Sequence, residues 1–341
     1  MGKPRAKVHH ITQIDSSLFF DPPQMFQEII HFLKQNRDYL SGEDISRSLR
    51  ISRAAVWKYI HQLREMGYDI CAVPHLGYRL ESVPDRLFSW EIQQDLGTKI
   101  FGRKILYHET VPSTMDEAFA LGVGGEPEGT LVCAEGQSKG RGRMGRTWIS
   151  PKGKGIYMSL LLRPQLPPAR VAELTLLTAI AVCEAVNQIC GITARIKWPN
   201  DIMIENGKAG GILTEMSAEM DRVTFVVLGI GLNVSAVPGR LADRAVALRQ
   251  VAQKDFTRLE LVRGILLSLE HWYMLVHQEG ISPIVQRWKE LSLTLGRHVR
   301  LTESGGTIEG RAVDLAEDGG LLIRTSNGIL VKRMSGDVIL G

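Results

Sequence analysis

A stretch in which arginine alternates with glycine constrains this chain more than any other feature of its sequence. Residues 140–148 read Gly-Arg-Gly-Arg-Met-Gly-Arg-Thr-Trp, and they follow the polar residues 137–139 and the apolar run 130–134. Glycine permits positive φ and a close approach of a ligand to the backbone, while arginine donates in a fixed fork that matches phosphate and carboxylate oxygens. The stretch therefore predicts a mobile loop that wraps an anionic ligand.

Three other interpretations compete with an anion-binding loop. Gly140, Gly142 and Gly145 match the G-x-G-x-x-G dinucleotide fingerprint, but that motif requires a helix at the third glycine. Residues 148–155, Trp-Ile-Ser-Pro-Lys-Gly-Lys-Gly, are incompatible with a helix, which excludes a Rossmann site. A disordered Arg-Gly segment that binds RNA is disfavoured, because the stretch lies inside an apolar, strand-rich region. This motif alone does not exclude the third interpretation, a solvated hairpin that binds no ligand.

Two later motifs decide between these interpretations. Residues 197–201 read Lys-Trp-Pro-Asn-Asp, and residues 208–213 read Lys-Ala-Gly-Gly-Ile-Leu. In this order and at this spacing, the three motifs resemble those of the biotin protein ligase family. The resemblance extends from about residue 24 to the C terminus, and it is to the bifunctional members that also repress the biotin operon.

Length and composition set broad limits. The chain has 341 residues, enough for two or three domains, with 44% hydrophobic and 23% charged residues, as is ordinary for a soluble globular protein. It has no run of 18 or more apolar residues, so we expect no membrane span. The four cysteines, at positions 71, 133, 183 and 190, lack C-x-x-C spacing and partner histidines. We therefore expect no zinc site, no disulfide framework and a reducing, cytoplasmic location.

The first part of the chain predicts a flexible tail and then a winged helix-turn-helix. Residues 1–22 show no periodicity and form the predicted tail. In residues 23–83, one helix carries an apolar face, a second begins at Ser41 and a third at Ser52, since serine is a preferred N-cap. A hairpin at residues 69–80 forms the predicted wing. A plain three-helix packing module is the alternative, because this outline alone is weak evidence for DNA binding.

The resemblance favours DNA binding for this segment. Residues 52–58, Ser-Arg-Ala-Ala-Val-Trp-Lys, resemble the recognition helix of the family's repressors, and residues 73–78 resemble their wing. A recognition helix enters the major groove with its N-terminal residues facing the base edges. The predicted DNA-contacting residues are Ser52, Arg53, Ala54, Trp57, Lys58 and His61. Positive charge for phosphates would also come from Arg47, Arg50 and Arg64.

The rest of the chain predicts an α+β ligase domain and a small β domain. Residues 84–294 mix strands with helices, which indicates a mixed sheet with helices on one side of it. The Asn-Gly pair at Asn206 predicts the turn of a hairpin. Residues 295–341 contain short stretches typical of strands, separated by glycine-bearing turns, which favours a small barrel. The family has an SH3-like domain at this place.

The resemblance implies a two-step reaction. The carboxylate of biotin attacks the α-phosphorus of ATP and releases pyrophosphate; a lysine of a biotin carboxyl carrier protein domain then attacks biotinyl-5′-adenylate and expels AMP. Because two anions meet in the first step, the site must supply cations. Lys197, Arg141 and Arg143 have the residue types and positions for this catalytic role, with Mg²⁺ alongside. The scattered histidines predict no metal site built from the protein's own side chains.

Other positions match the binding residues of the family. Ser113, Thr114 and Gln137 correspond to the side chains that bind the ureido ring of biotin. The remaining residues implied for biotin, nucleotide or adenylate are Gly140, Arg141, Gly142, Arg143, Lys197, Asn200, Lys208 and Asn233. Met115 departs from the family's usual Ser-Thr-Asn, which puts a polar role of that position in doubt. We expect Trp148 and Trp198 to have packing roles.

Three functions are compatible with these features. The leading one is an ATP-dependent biotin ligase that also represses biotin genes, with biotinyl-5′-adenylate as corepressor, operator DNA as a partner and a homodimer as the DNA-binding form. The alternatives are a biotin-sensing repressor without ligase activity and a lipoate-type ligase with the same fold. The intact Gly-Arg stretch and Lys197 argue against the sensor. The same stretch and the helix-turn-helix argue against the lipoate-type enzyme.

Overall fold

The computed structural model describes residues 24–36, 38–237, 239, 244–303 and 306–341. The predicted tail, residues 1–22, lies outside these described residues. Within them, no helix combines the length and the apolar composition that crossing a bilayer requires.

The first described segment is a helix-turn-helix with a wing. Its elements are α1 (Gln24–Gln35), α2 (Gly42–Leu49), α3 (Arg53–Glu65), β1 (Asp69–Val73) and β2 (Gly77–Ser82). The predicted N-caps are present, because the hydroxyls of Ser41 and Ser52 accept from the backbone N–H groups of Asp44 and Ala55, at 3.0 and 3.1 Å. Each helix turns an apolar stripe inward. The predicted winged helix-turn-helix is therefore confirmed.

The central segment is a seven-stranded mixed sheet with its helices. The helices are α4 (Ser89–Gln93), α5 (Thr114–Val123), α6 (Ala172–Cys190), α7 (Leu248–Val251), α8 (Arg258–Glu279) and α9 (Ser282–Leu291). The strands are β3 (Ile105–His108), β4 (Leu131–Ala134), β5 (Gly155–Leu162), β6 (Ala194–Lys197), β7 (Asp201–Ile204), β8 (Gly207–Glu219) and β9 (Arg222–Asn233). In the described part of the chain, their order is β3-β4-β5-β9-β8-β7-β6. Strands β3 and β4 are parallel and the other neighbours antiparallel.

Helices cover both faces of this sheet, so the expectation of helices on one side is wrong. Side chains alternate between the two faces of a strand. On β9, Leu228 and Ile230 belong to the large core that contains α6 and α8, whereas Phe225 and Val227 belong to a separate cluster with Ala118 of α5. Every residue of β5 is buried, as two covered faces require.

The C-terminal segment is an antiparallel sheet. Its strands are β10 (His298–Glu303), β11 (Gly306–Leu315), β12 (Leu321–Arg324), β13 (Leu330–Arg333) and β14 (Asp337–Leu340). Among the residues that the structure describes, their order is β13-β12-β11-β10-β14, and the outer strands β13 and β14 do not pair with each other. The expected small β domain is confirmed as a sheet, but its closure into an SH3-like barrel is not found and stays a prediction.

A buried network joins the helix-turn-helix to the central segment. Tyr68, which follows α3, donates its hydroxyl to Glu91 Oε1 at 2.7 Å and accepts from Trp90 Nε1 at 2.8 Å. Lys34 of α1 donates to Glu91 Oε2 at 2.5 Å. Burial and the Glu91 carboxylate both raise the pKa of Tyr68. Because the hydrophobic core also continues past residue 83, the two segments pack directly on each other.

A buried ion pair fixes the chain just before the Gly-Arg stretch. Arg258 Nη1 lies 2.8 Å from Glu135 Oε2, and only 3% and 2% of the two side chains are exposed. Glu135 Oε1 also accepts from the backbone N–H of Leu87 at 2.9 Å, and Arg258 donates to the carbonyl oxygen of Gly155 at 3.1 Å. Both charges are thus paired and hydrogen-bonded, as burial requires.

We expect Arg258→Met to lower the free energy of unfolding by about 3–5 kcal/mol, because it leaves Glu135 buried without its counter-charge. The midpoint of urea unfolding, followed by circular dichroism, measures the loss. Arg249→Met is the matched control, since Arg249 pairs with Asp85 at 2.5 Å in a more exposed position, where an ion pair contributes about 1 kcal/mol or less. Equal shifts in the two variants would contradict the claim that burial sets the cost.

Candidate functional site

A cavity of about 510 Å³ lies between strands β8 and β9, the C-terminal sheet and residues 140–148, which we call the glycine–arginine loop. Its lining includes most of the predicted site residues: Thr114, Gln137, Arg141, Gly142, Arg143, Lys197, Asn200 and Lys208. Three other predicted residues, all within the described chain, lie outside this lining: Ser113, Gly140 and Asn233.

Positive charge dominates the cavity. Among the described residues that line it, six are cationic and two are acidic. The cations are Arg141, Arg143, Arg146, Lys197, Lys208 and Arg244, and the acidic residues are Asp201 and Asp337. The excess of cations favours an anionic ligand.

The floor of the cavity is formed by backbone and apolar side chains. A Cβ added to Gly231 of β9 would lie 2.7 Å from the indole of Trp148, and one added to Gly229 would lie 2.5 Å from Sδ of Met115. Trp148 and Met115 therefore pack directly on the strand and give the cavity an apolar wall. Trp198 is 1% exposed and therefore has the packing role that we expected for it.

A chain of hydrogen bonds orients the predicted amide and hydroxyl groups. Ser159 donates to Thr114 Oγ1 at 2.9 Å, and Thr114 Oγ1 donates to Gln137 Oε1 at 3.1 Å. Gln137 Nε2 donates to Ser150 Oγ at 2.8 Å. The amide of Gln137 is therefore held in one orientation. No motif marks Ser159 or Ser150, and the sequence did not predict them.

The hydroxyl of Ser113 is buried, and within the described residues its oxygen has no hydrogen-bond partner. The indole Nε1 of Trp148 is also buried and also lacks a hydrogen-bond partner within the described residues. Leaving a buried donor or acceptor unpaired costs about 1–3 kcal/mol. A polar ligand that reached these two groups would remove that cost.

The glycine–arginine loop is a narrow hairpin that lines one part of the cavity. Trp148 donates its backbone N–H to the carbonyl oxygen of Gly140 at 2.9 Å, and Gly142 donates to that of Arg146 at 2.7 Å. The tip, Arg143–Gly145, is a single 3₁₀ turn. A Cβ at Gly140 would lie 2.4 Å from the carbonyl oxygen of Trp148, so the predicted glycine permits the close approach of the two arms.

Carboxylates hold two of the loop's arginines. Arg141 lies 2.8 Å from carboxylate oxygens of both Glu215 on β8 and Asp116 on α5. Arg146 pairs with Asp337 of β14. Arg141, which the sequence predicted to meet phosphate, is therefore already paired with two carboxylates.

Arg143 differs from these two arginines because its side-chain partner is a neutral amide. Its Nη1 donates to Asn200 Oδ1 at 2.9 Å, and Asn200 Nδ2 donates to the carbonyl oxygen of Ile212 at 2.7 Å. Burial lowers the pKa of Arg143, although the charge of Asp201 opposes that shift. Arginine nevertheless stays protonated in proteins, so Arg143 presents a positive charge to the cavity.

The two predicted lysines share one carboxylate. Lys208 Nζ lies 2.5 Å from Asp201 Oδ1, and Lys197 Nζ lies 3.8 Å from Asp201 Oδ2. Lys208 Nζ is also 5.6 Å from the centroid of the Trp148 ring. Asn233 Nδ2 donates to the backbone carbonyl of Lys208 at 3.3 Å, so this predicted residue supports the lysine from outside the cavity lining.

The second candidate surface is the outer face of α3. All six residues predicted to contact DNA are exposed: Ser52, Arg53, Ala54, Trp57, Lys58 and His61. The Trp57 ring is 63% exposed and stacks on His61 with centroids 5.6 Å apart. Arg64 Nε donates to the carbonyl oxygen of Ile70 at 2.8 Å, so it ties α3 to the wing, a role that the sequence did not predict.

Comparison with known proteins gives consistent matches along the chain. The biotin/lipoate A/B protein ligase family matches residues 107–233, an HTH domain residues 27–79, and the biotin protein ligase C-terminal domain residues 294–341. The chain is 42% identical to the bifunctional ligase/repressor BirA of Bacillus subtilis (strain 168), over 91% of this chain and 96% of that relative. It is 30% identical to the bifunctional ligase/repressor BirA of Escherichia coli (strain K12), over 90% and 95% of the two chains.

A solved structure has a similar fold. The biotin protein ligase from Aquifex aeolicus, in complex with biotin and ATP, superimposes with a TM-score of 0.61 at 31% sequence identity. The match covers 70% of this chain and 99% of the Aquifex chain.

We expect Gly231→Ala to displace Trp148 from the floor, because the added Cβ would lie 2.7 Å from the indole. Overpacking of this kind lowers the free energy of unfolding by about 1–3 kcal/mol, which the urea midpoint measures. The control is Gly124→Ala at the end of α5, where the nearest atoms to a Cβ are backbone oxygens at 3.4 Å. An equal urea midpoint for Gly231→Ala and this control would contradict the direct packing of Trp148 on β9.

Proposed function

The chain belongs to the biotin protein ligase family of bifunctional ligase/repressors, and from that premise we propose that its cavity binds biotin and ATP. The product of the first step is biotinyl-5′-adenylate, which is then transferred to a lysine of a biotin carboxyl carrier protein domain. The same chain represses biotin genes through its helix-turn-helix.

The observation that carries this proposal is the presence of two chemically different sets of side chains in the lining of one cavity. Thr114 and Gln137, with the buried hydroxyl of Ser113, suit a ureido group, which both donates and accepts hydrogen bonds. Arg143 and Lys197 suit carboxylate and phosphate oxygens. The apolar wall of Trp148 and Met115 suits the ring and chain of biotin.

The first step joins two anions, and the cations of this cavity offset their repulsion. The biotin carboxylate oxygen attacks the α-phosphorus of ATP, the bond from that phosphorus to the bridging oxygen breaks, and pyrophosphate leaves. We assign Arg143 and Lys197 to the carboxylate and α-phosphate oxygens, where positive charge counters the charge that gathers in the transition state. We assign Lys208 to the phosphates of ATP, with Asn200 and Asn233 holding Arg143 and Lys208 in place.

Magnesium ions would enter this site with ATP. Mg²⁺ is usually held by substrate phosphates, waters and one or two carboxylates. No group of three or more His, Cys, Asp or Glu suitable for a metal lies among the described residues, and the ammonium groups of Lys208 and Lys197 already lie 2.5 and 3.8 Å from the Asp201 carboxylate. We therefore propose that the phosphates of ATP and water would hold the ion, which would neutralise phosphate charge.

The second step needs the adenylate to be kept from water. The amine of the carrier lysine attacks the carbonyl carbon of the mixed anhydride, and AMP leaves with the electron pair of the broken C–O bond. The glycine–arginine loop, Gly140–Trp148, lines one part of the cavity as a hairpin whose glycines, Gly140 and Gly142, allow a close approach to the bound adenylate. Closure of such a loop protects a hydrolysable intermediate until the acceptor arrives.

Repression would use the exposed face of α3. We propose that the adenylate acts as corepressor, that it favours a homodimer, and that the two recognition helices bind half-sites of a two-fold operator. The four cysteines are free thiols, and we propose the cytoplasmic location that such usage favours.

We expect Lys197→Ala to reduce biotin-dependent ATP–pyrophosphate exchange by about 10²–10³-fold, the size of loss found when one donor to a developing charge is removed. Lys104→Ala is the control, because Lys104 pairs with Glu126 on the surface, away from the cavity lining. Exchange at the wild-type rate in Lys197→Ala would contradict the assignment of the active site.

The same exchange assay separates the alternative functions. A ligase supports exchange with biotin, a sensor that binds biotin without activating it does not, and a lipoate-type enzyme exchanges with lipoate in place of biotin. The Gly-Arg loop and the biotin ligase matches support the first outcome.

We expect the double variant Arg53→Ala/Lys58→Ala to weaken operator binding by about tenfold or more, since one good base contact contributes about 1–3 kcal/mol and the loss of a phosphate contact weakens binding further. A gel shift with biotinyl-5′-adenylate measures this, and its salt dependence should become shallower. Lys289→Ala, on α9, is the control. Pyrophosphate exchange should stay at the wild-type rate in both variants, and unchanged operator affinity in the double variant would contradict the DNA-binding assignment of α3.

A further inference from the structure

We propose that Asp116 and Glu215 form a carboxylate clasp for Arg141, and that Arg141 is a positioning residue that holds the base of the glycine–arginine loop. This inference rests on the proposed ligase function and assigns different tasks to the two arginines of the Gly-Arg-Gly-Arg motif. Arg143 contacts the anionic substrate, whereas Arg141 acts by keeping the loop over it.

The geometry of the clasp is specific. Arg141 Nη1 and Nη2 donate to Glu215 Oε1 and Oε2, each at 2.8 Å, which is the two-pronged arrangement that suits guanidinium and carboxylate. Arg141 Nη2 also lies 2.8 Å from Asp116 Oδ1. Glu215 belongs to β8 and Asp116 to the first turn of α5. The loop is thus bound to two elements that lie far from it in sequence.

Arg141 lies at the base of the loop. It forms an isolated antiparallel bridge with Thr147, and the next pair inward is joined by the hydrogen bond from Gly142 N to the Arg146 carbonyl oxygen. Arg143 then begins the turn at the tip. A clasp on Arg141 therefore fixes both arms of the hairpin, while the glycine beside it leaves the tip able to move.

The charges of their partners distinguish the roles of Arg141 and Arg143. The Arg141 guanidinium faces two carboxylates, and these neighbouring charges raise its pKa even though burial alone would lower it. To bind a phosphate, Arg141 would have to give up a bidentate partner and leave two carboxylates near the anion. Arg143 has the amide of Asn200 as its partner and needs no such exchange. Positive charge is therefore available at Arg143 and already matched at Arg141.

The clasp should have little effect on global stability. The exposed fractions are 39% for Arg141, 57% for Asp116 and 29% for Glu215, and ion pairs at such positions contribute little to unfolding. Its effect should instead appear where the loop matters, in the retention of biotinyl-5′-adenylate and in the access of a protease to the loop.

The test compares Glu215→Gln and Asp116→Asn with wild type in the full chain. We expect biotinyl-5′-adenylate, formed on the protein and chased with unlabelled ligand, to dissociate about two- to fivefold faster in each variant, the range that one exposed ion pair allows. Trypsin should cleave the adenylate-bound chain faster after Arg143 and Arg146. Pyrophosphate exchange at saturating biotin and ATP should stay within about twofold of wild type. The matched control is Glu219→Gln, an exposed carboxylate on the same strand.

Arg141→Met completes the test. If Arg141 acts through the clasp, Arg141→Met should release adenylate as fast as the double variant Asp116→Asn/Glu215→Gln. Adding the two carboxylate changes to Arg141→Met should then have no further effect on release. Arg141→Lys should restore part of the retention, since it keeps the charge but loses the fork.

Two results would overturn the proposal. One is wild-type adenylate release and wild-type cleavage in Glu215→Gln and Asp116→Asn. The other is a loss of exchange in Arg141→Met as deep as that in Lys197→Ala, which would place Arg141 on the reacting phosphate. Absence of exchange in the wild-type chain would instead overturn the ligase function, and cleavage of the ligand-free loop would still decide whether the clasp exists.

Discussion

The buried ion pair of Glu135 and Arg258 is the constraint on which the rest of this structure depends. Glu135 donates its backbone N–H to the carbonyl oxygen of His108 at 3.0 Å, and its own carbonyl oxygen accepts from Gly153 at 2.9 Å. The segment 136–153, which contains the glycine–arginine loop, therefore begins and ends beside Glu135. A loop rich in glycine loses much conformational entropy when it is ordered. Fixing both ends at a desolvated charge pair reduces the conformations that remain to be lost when a ligand binds.

The same ion pair is one end of a series of contacts that reaches α3, the helix that we propose contacts DNA. Glu135 accepts from the backbone of Leu87, and the neighbouring Phe88 ring stacks on Trp90 with centroids 4.4 Å apart. Trp90 donates to the hydroxyl of Tyr68, directly after α3. The base of the loop and the C-terminal end of α3 are thus joined by packed and hydrogen-bonded groups. A ligand-dependent repressor requires two arrangements of the protein that the ligand favours differently.

Local signals explain how much could be predicted from the sequence. The caps at Ser41 and Ser52 depend on neighbouring residues, and so do the motifs that contain Arg143 and Lys197; the sequence therefore located the helix-turn-helix and eight residues of the cavity lining. The features that could not be predicted depend on which strands lie next to each other in the sheet and on which faces the helices cover. A largely apolar strand such as β5 has the same sequence pattern whether helices cover one face or two. Ser159 and Glu215 enter the site only because β5, β9 and β8 are neighbours in the sheet, and no residue beside them in the sequence marks them.

Identical residue types in one motif acquire different roles through their partners. In Gly-Arg-Gly-Arg, the two arginines are separated by one residue and the sequence cannot distinguish them. The fold can, because the bidentate pair with Glu215 neutralises Arg141 at 2.8 Å, whereas Asn200 binds Arg143 without cancelling its charge. Lys197 and Lys208 are intermediate, because the two ammonium groups share the single carboxylate of Asp201, at 3.8 and 2.5 Å. A cation already paired gains less from a phosphate than one with a neutral partner, since it must first lose an existing charge-assisted bond. The cavity can therefore keep a glycine-rich loop in place with one arginine and still present unmatched positive charge with the next.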